Sequence, residues 1–134
     1  MNLVVERPSY NTGVLSPTIA YLRSEGEHSR EMGTEIVKYD IKNEKILGTF
    51  KCEKECVFGE AYYVSSTGKS GQDIGSEDDG YLMDIVYHPQ TNSSSFVVID
   101  AKTMSSKPTY IAELPQRVPY GVHGIWLDQQ HFHT

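Results

Sequence analysis

The sequence has no long hydrophobic run, few basic residues and two cysteines, and each shortage excludes or disfavours a class of protein. No apolar stretch in the 134 residues approaches the roughly 20 residues that a membrane-spanning helix needs. The formal net charge is −6, from 12 Lys and Arg against 18 Asp and Glu, which disfavours a nucleic-acid partner because phosphate binding requires a basic face. The N-terminus also lacks the basic-then-apolar layout of a signal peptide. We therefore expect a cytoplasmic protein.

The two cysteines, Cys52 and Cys56, are separated by three residues. A single Cys-x3-Cys pair is a weak zinc signal, since structural zinc sites usually draw on a second pair of ligands. Cytosolic proteins keep their thiols reduced. The sequence therefore predicts two free thiols.

Strand patterns dominate the chain, which at 38% hydrophobic residues has enough apolar material for the core of one domain or part of one. Turn residues such as Lys42-Asn43-Glu44 separate short segments that alternate at period two, and no helix-period apolar stripe competes with them. This pattern predicts an all-β fold. The expected strands lie at about 3–6, 21–22, 36–40, 48–50, 60–64, 80–87, 96–100, 110–114 and 125–127.

An acidic run, Glu77-Asp78-Asp79, precedes the strongest of these strands. Clustered carboxylates can bind calcium, but the run lacks the Asp-x-Asp-x-Asp-Gly spacing and the final glutamate of an EF-hand loop. Asp79-Gly80 is typical of a turn that leads into a strand. We therefore expect a turn that leads into the next strand.

The densest motif lies near the C-terminus and reads Leu-Pro-Gln-Arg-Val-Pro-Tyr-Gly-Val-His-Gly-Ile-Trp-Leu over 114–127. Gly121 and Gly124 flank His123 and leave space around its imidazole. A lone histidine is more often a buried residue that satisfies local hydrogen bonds than a metal ligand. However, the whole run resembles the C-terminal signature of the carotenoid cleavage oxygenases, Leu-Pro-x-Arg-Val-Pro-aromatic-Gly-x-His-Gly-x-Trp. The resemblance implies that His123 is the last of four histidines that bind a catalytic iron(II).

Two glutamates lie in segments that resemble the same family. Glu6, Pro8 and Asn11 fit its Glu-aromatic-Pro-x-Ile-Asn segment, with Arg7 in place of the aromatic residue. The run from Gly59 to Val64 is similar to its Gly/Ser-Glu-Pro-hydrophobe-Phe-Val segment, with alanine in place of the proline. From the residues alone, each glutamate is a charge at a strand end. The resemblance implies that Glu6 and Glu60 accept hydrogen bonds from iron-binding histidines, which fixes the histidine tautomer.

The spacing of these residues agrees with a propeller. Glu6, Glu60 and His123 are 54 and 63 residues apart, and a four-stranded propeller blade takes about 40–50 residues, or more with long loops. The family fold is a seven-bladed β-propeller with the iron on its axis. The resemblance therefore implies that residues 1–134 are the C-terminal portion of such a domain. They would form the last two or so blades and the closing strand, with a disordered tail at 128–134.

The resemblance also implies a function. In this family an iron(II) dioxygenase oxidatively cleaves an alkene of a carotenoid, apocarotenoid or stilbene, so the partners are an apolar polyene or stilbene substrate and dioxygen. Peripheral membrane contact of the full-length protein would involve parts outside this chain. The other histidines lack the motifs of the remaining three ligands, so we expect the chain alone to be inactive. They are His28, His88, His131 and His133. The alternative is a non-catalytic β domain that binds a partner or an apolar ligand.

Overall fold

Two antiparallel sheets make up the described part of the chain. The computed structural model describes residues 3–6, 18–24, 33–52, 54–66, 77–119, 127 and 132. The first sheet has the order β1 (Leu3–Glu6), β2 (Ile19–Ser24), β3 (Glu35–Asp40) and β4 (Lys45–Lys51). In the second sheet, β5 (Val57–Phe58) and β6 (Tyr62–Ser65) both pair with β7 (Gly80–His88), followed by β8 (Ser93–Asp100) and β9 (Tyr110–Glu113). The all-β prediction is confirmed, and within these ranges no helix is long and apolar enough to cross a membrane.

Short turns with side-chain support set the register of the hairpins. In the β3–β4 turn, Asp40 Oδ1 accepts the backbone N–H of Asn43 at 3.0 Å, and Asp40 Oδ2 accepts its side-chain amide at 2.7 Å. These bonds hold the pKa of Asp40 below its ordinary value, because they favour the carboxylate. In the β7–β8 turn, Asn92 adopts a positive φ of 50° and its Oδ1 accepts the Tyr87 hydroxyl at 2.9 Å. Asparagine tolerates this left-handed conformation better than most residues.

The hydrophobic core lies between the two sheets. Ile36 and Phe50 from the first sheet belong to the same buried cluster as Phe58, Leu82 and Ile99 from the second. The rings of Phe50 and Phe58 meet edge to face, with their centroids 5.8 Å apart. Since each sheet buries one face against the other, this shared core fixes how the sheets pack.

Polar contacts from the acidic run also join the sheets. Lys38 Nζ, on β3, donates to Asp78 Oδ2 at 2.7 Å and to the carbonyl oxygen of Lys102 at 2.8 Å. Glu77 accepts hydrogen bonds from the Thr18 hydroxyl and, at 3.2 Å, from the backbone N–H of Ile19. The acidic run therefore contributes to the contact between the two sheets.

Two features differ from the sequence prediction. Cys52 and Cys56 form a disulfide, with their Cα atoms 6.2 Å apart, so the prediction of free thiols is wrong. The short strand β5 was also not predicted, because two residues are too few to show the period-two alternation of a strand. Of the closing strand expected at 125–127, only Leu127 is described, and it belongs to no strand.

Candidate functional site

Glu6 and Glu60 both lie on the first edge of their sheet. β1 forms one edge of the first sheet, and its last residue, Glu6, pairs in register with Tyr21 of β2. β5 and β6 form the corresponding edge of the second sheet, and Glu60 lies between them. The opposite edges are β4 and β9. Each sheet therefore carries one of the two predicted glutamates at the edge that comes first in the chain, Glu6 at the end of β1 and Glu60 between β5 and β6.

Glu60 lies where this edge strand is interrupted. β5 pairs with the end of β7 and β6 with its beginning, so residues 59–61 pass opposite the middle of β7 outside regular pairing. The backbone N–H of Gly59 donates to the Ile85 carbonyl oxygen at 3.3 Å. A Cβ on Gly59 would lie 3.0 Å from Asp84 Oδ1 and 3.3 Å from that carbonyl oxygen. Glycine therefore permits the close approach that brings the half-buried Glu60 against β7.

A buried carboxylate beside Gly59 was not predicted. Asp84 is 4% exposed and occupies the middle of β7. The signal was present in the sequence, because period-two alternation puts Asp84 on the same face as Leu82 and Val86, both of them buried. Burying a charged side chain costs free energy, so a carboxylate at an inward-facing strand position indicates a structural or functional role. Asp84 therefore places a buried acidic side chain beside Gly59, the residue that precedes Glu60.

Tyr63, on β6, follows Glu60 and contacts both sheets. Its ring stacks against that of Tyr21 with centroids 6.2 Å apart. Burial, followed by the negative charges of Asp79, Asp78 and Glu77, raises the pKa of Tyr63 to about 12. The phenol therefore stays protonated at neutral pH. The edge strand that carries Glu60 is packed on an aromatic pair that connects the two sheets.

The first half of the terminal motif is anchored to the second sheet. The backbone N–H of Leu114 donates to the Ser94 carbonyl oxygen at 2.9 Å, and that of Val118 to the Ser94 hydroxyl at 3.0 Å. The Arg117 guanidinium lies 4.9 Å from the centre of the Tyr87 ring, a cation–π contact. Ser94 is 1% exposed. These contacts fix the chain up to Val118, five residues before His123. Sequence reasoning had not identified Ser94 or Tyr87 as its supports.

The predicted iron ligand, His123, lies outside the described residues, as do His28, His131 and His133. The described histidine, His88, ends β7, and its Nε2 lies 2.6 Å from the hydroxyl of Ser95. The Glu6 side chain is likewise not described. Within the described ranges, no three His, Cys, Asp or Glu side chains converge as a metal site would require. The roles of His123, Glu6 and Glu60 therefore stay predictions.

Comparison with known proteins identifies the family. The family model described as retinal pigment epithelial membrane protein, RPE65, matches residues 7–128. Carotenoid 9,10(9',10')-cleavage dioxygenase 1 of Arabidopsis thaliana is 37% identical over 103 residues, which are 72% of this chain and 19% of that protein. Zeaxanthin 7,8(7',8')-cleavage dioxygenase of Crocus sativus is 40% identical over 75 residues, covering 55% of this chain and 20% of that protein. The chain thus spans about a fifth of the length of these relatives.

Solved structures show the same fold. A mutant of Synechocystis apocarotenoid oxygenase matches with a TM-score of 0.69 and 22% identity, over 84% of this chain and 22% of that one. The cobalt-substituted form of the Synechocystis enzyme matches with a TM-score of 0.68 and 21% identity over the same shares. The enzyme is a β-propeller, so the two sheets correspond to propeller blades. The chain belongs to the carotenoid cleavage oxygenase family.

Proposed function

We propose that this chain is the C-terminal portion of a non-haem iron(II) dioxygenase that cleaves an alkene double bond. The observation that carries the proposal is the anchored terminal motif. Ser94 and Tyr87 fix the run that leads to His123, and Glu60 lies at the first edge of the same sheet, between β5 and β6. In a propeller the first strand of each blade faces the axis, where the residues of successive blades can meet at one metal ion.

His123 would bind the iron, and Glu6 and Glu60 would each accept the far ring N–H of an iron-binding histidine. The donor chemistry fits this metal, because neutral imidazole is a good ligand for iron(II) and carboxylates orient ligand histidines. Glu60 is half-buried on a sheet edge, a position from which its carboxylate would meet an iron-binding histidine. When bound, iron(II) would activate dioxygen for addition to the alkene.

For the substrate we propose an apolar polyene, a carotenoid or apocarotenoid, or a stilbene. The named activities of the relatives support this class, since they are cleavage of carotenoids at 9,10(9',10') and of zeaxanthin at 7,8(7',8'). Dioxygen would be the second substrate. Contact with a membrane, if the full-length protein makes it, would involve parts that this chain does not contain.

Alone, the chain would have no oxygenase activity. One histidine cannot hold iron(II) against water, and the three other ligands would come from blades absent here. The edge strands β1, β4 and β9 would also lack neighbouring blades, which favours aggregation. We propose the cytoplasm as the compartment, although the Cys52–Cys56 disulfide bears against it because cytosolic thiols are kept reduced. Alkylation of free thiols in fresh cell lysate tests the compartment. Alkylated Cys52 and Cys56 would agree with the cytoplasm, and protected cysteines would agree with an oxidising compartment.

The test is a transplant of the chain into a complete propeller. In the Arabidopsis relative, the matching C-terminal segment is replaced by this chain, and carotenoid cleavage is measured by chromatography of the carbonyl products. We expect cleavage by the chimera and, from the isolated chain with iron(II), no turnover above free iron. A folded chimera that binds carotenoid without cleaving it would instead favour a non-catalytic β domain. Turnover by the isolated chain would contradict the proposed dependence on the missing ligands.

A further inference from the structure

A cleft of about 530 Å³ opens between the two sheets on the side of β4 and β9, opposite the edges that carry Glu6 and Glu60. Its floor contains the side chains of Phe50 and Val97, which are 2% and 3% exposed. Ile111 forms part of its wall and is 56% exposed, although it is a large aliphatic residue. The volume falls in the range of about 300–1,000 Å³ that is typical of small-molecule sites.

The charged side chains among the described residues that line the cleft are lysines. Lys54 and Lys107 line it and are exposed. A third lysine, Lys51, pairs with Glu35 at 3.0 Å. Lys54 also lines a smaller adjoining cleft of about 230 Å³, together with the carboxylates of Glu55 and Glu113. Two ammonium groups therefore lie beside an apolar cleft, in a chain of net charge −6.

We propose that this cleft binds an amphipathic monocarboxylate, that is, an unbranched apolar chain with one carboxylate at its end. The apolar chain would cover Ile111, which is 56% exposed, and so release water from its apolar surface. It would contact Phe50 and Val97 at the floor of the cleft. The carboxylate would accept charge-assisted hydrogen bonds from Lys54 and Lys107. The described residues that line the cleft include none of the proposed iron-site residues, so this proposal concerns a second site.

The redox state of Cys52 and Cys56 should affect the affinity of this cleft for a carboxylate. Cys52 lines the cleft, and its bond to Cys56 closes the loop that carries Lys54. Without the disulfide, the Lys54 ammonium would sample a wider range of positions. It would therefore lose more conformational entropy when it pairs with a ligand. Reduction should therefore weaken carboxylate binding.

The test compares three ligands that share one alkyl chain and differ in their head group. Isothermal titration calorimetry of the chain is carried out with decanoate, decanol and decyltrimethylammonium. We expect decanoate to bind roughly tenfold more tightly than decanol, since charged hydrogen bonds add to the same apolar contact, and the cation to bind most weakly. Chemical-shift changes at the Ile111 methyl groups should report the decanoate titration. No decanoate binding, or equal affinity for the three ligands, would overturn the proposal.

Matched variants locate the site. Lys54→Glu with Lys107→Glu should weaken decanoate binding by about tenfold or more while leaving decanol binding unchanged. The control, Lys42→Glu with Lys45→Glu, makes the same change of charge on the exposed β3–β4 turn and should leave both affinities unchanged. Ile111→Ser should weaken both ligands, because they share the apolar contact. An equal loss of decanoate affinity in the two double-lysine variants would indicate a general effect of net charge and would also overturn the proposal.

Discussion

Lys38 and Asp78 form an ion pair across the two sheets, with Nζ and Oδ2 2.7 Å apart and side chains that are 5% and 20% exposed. Lys38 also donates to the Lys102 carbonyl oxygen, so one ammonium holds two segments of the second sheet against the first. The acidic run therefore contributes to the packing of one blade on the next. The strand edges that carry Glu6 and Glu60 depend on that packing for their relative position.

Lys38→Met should lower the free energy of unfolding by about 2–4 kcal/mol, because it leaves Asp78 without its cation in a largely buried position. Urea unfolding followed by Trp126 fluorescence measures the loss. The matched control is Lys42→Met, which makes the same substitution at an exposed position of the β3–β4 turn. That change should cost less than about 0.5 kcal/mol. Equal losses in the two variants would contradict the role given to Lys38.

Gly80→Ala should destabilise the second sheet. A Cβ at this position would lie 2.3 Å from the Val64 carbonyl oxygen and 2.7 Å from Tyr63 Oη, so the backbone of β6 has to move. We expect a loss of about 3 kcal/mol, measured as a shift in the midpoint of urea unfolding. Gly48→Ala is the comparison, since its closest contact would be Met104 Cβ at 3.0 Å and a smaller shift should follow.

Reduction of the Cys52–Cys56 disulfide should lower the free energy of unfolding by about 2 kcal/mol, the loop-closure value for a ring of this size. Urea unfolding with and without dithiothreitol measures the difference. In the double variant Cys52→Ser with Cys56→Ser, dithiothreitol should have no effect. An unfolding midpoint of the unmodified chain that does not respond to reductant would show that the bond does not stabilise the fold.

Stability should fall as the pH rises from 10 towards 12. The pKa of Tyr63 is raised to about 12 in the folded chain, whereas an unfolded tyrosine ionises near 10. In that window the unfolded state releases a proton that the folded state keeps, so alkali favours unfolding. Tyr63→Phe should flatten this part of the stability profile in urea titrations. Tyr110→Phe, which removes an exposed hydroxyl, controls for the substitution itself, and an equal change there would contradict the assignment.

Local patterns predicted the hairpins well. The β3–β4 hairpin and the long strand β7 follow from alternation and turn residues. The ion pair of Lys38 was not predictable, because its partner lies 40 residues away and nothing local marks a lysine in an alternating strand as buried. The disulfide was missed because a Cys-x3-Cys spacing does not determine how the intervening chain turns. Asp84, by contrast, could have been noticed from its inward position between Leu82 and Val86.

The family motif identified the candidate site residues, which local strand and turn patterns could not, but it did not show how they are supported. The residues of the motif before His123 contact Ser94 and Tyr87, and none of these contacts is visible in the spacing of the motif itself. Glu60 was expected at the start of a strand, and it lies two residues before β6, in the interruption beside Gly59. That interruption depends on a close backbone approach, which a one-dimensional pattern does not encode.

The central claim is that His123 binds iron, and iron content tests it most directly. In the chimera with the Arabidopsis relative, metal analysis of purified protein should give about one iron per chain, and His123→Ala should lose most of it. His88→Ala, which removes the imidazole that contacts Ser95, should retain the iron. Full iron occupancy in folded His123→Ala protein would contradict the account.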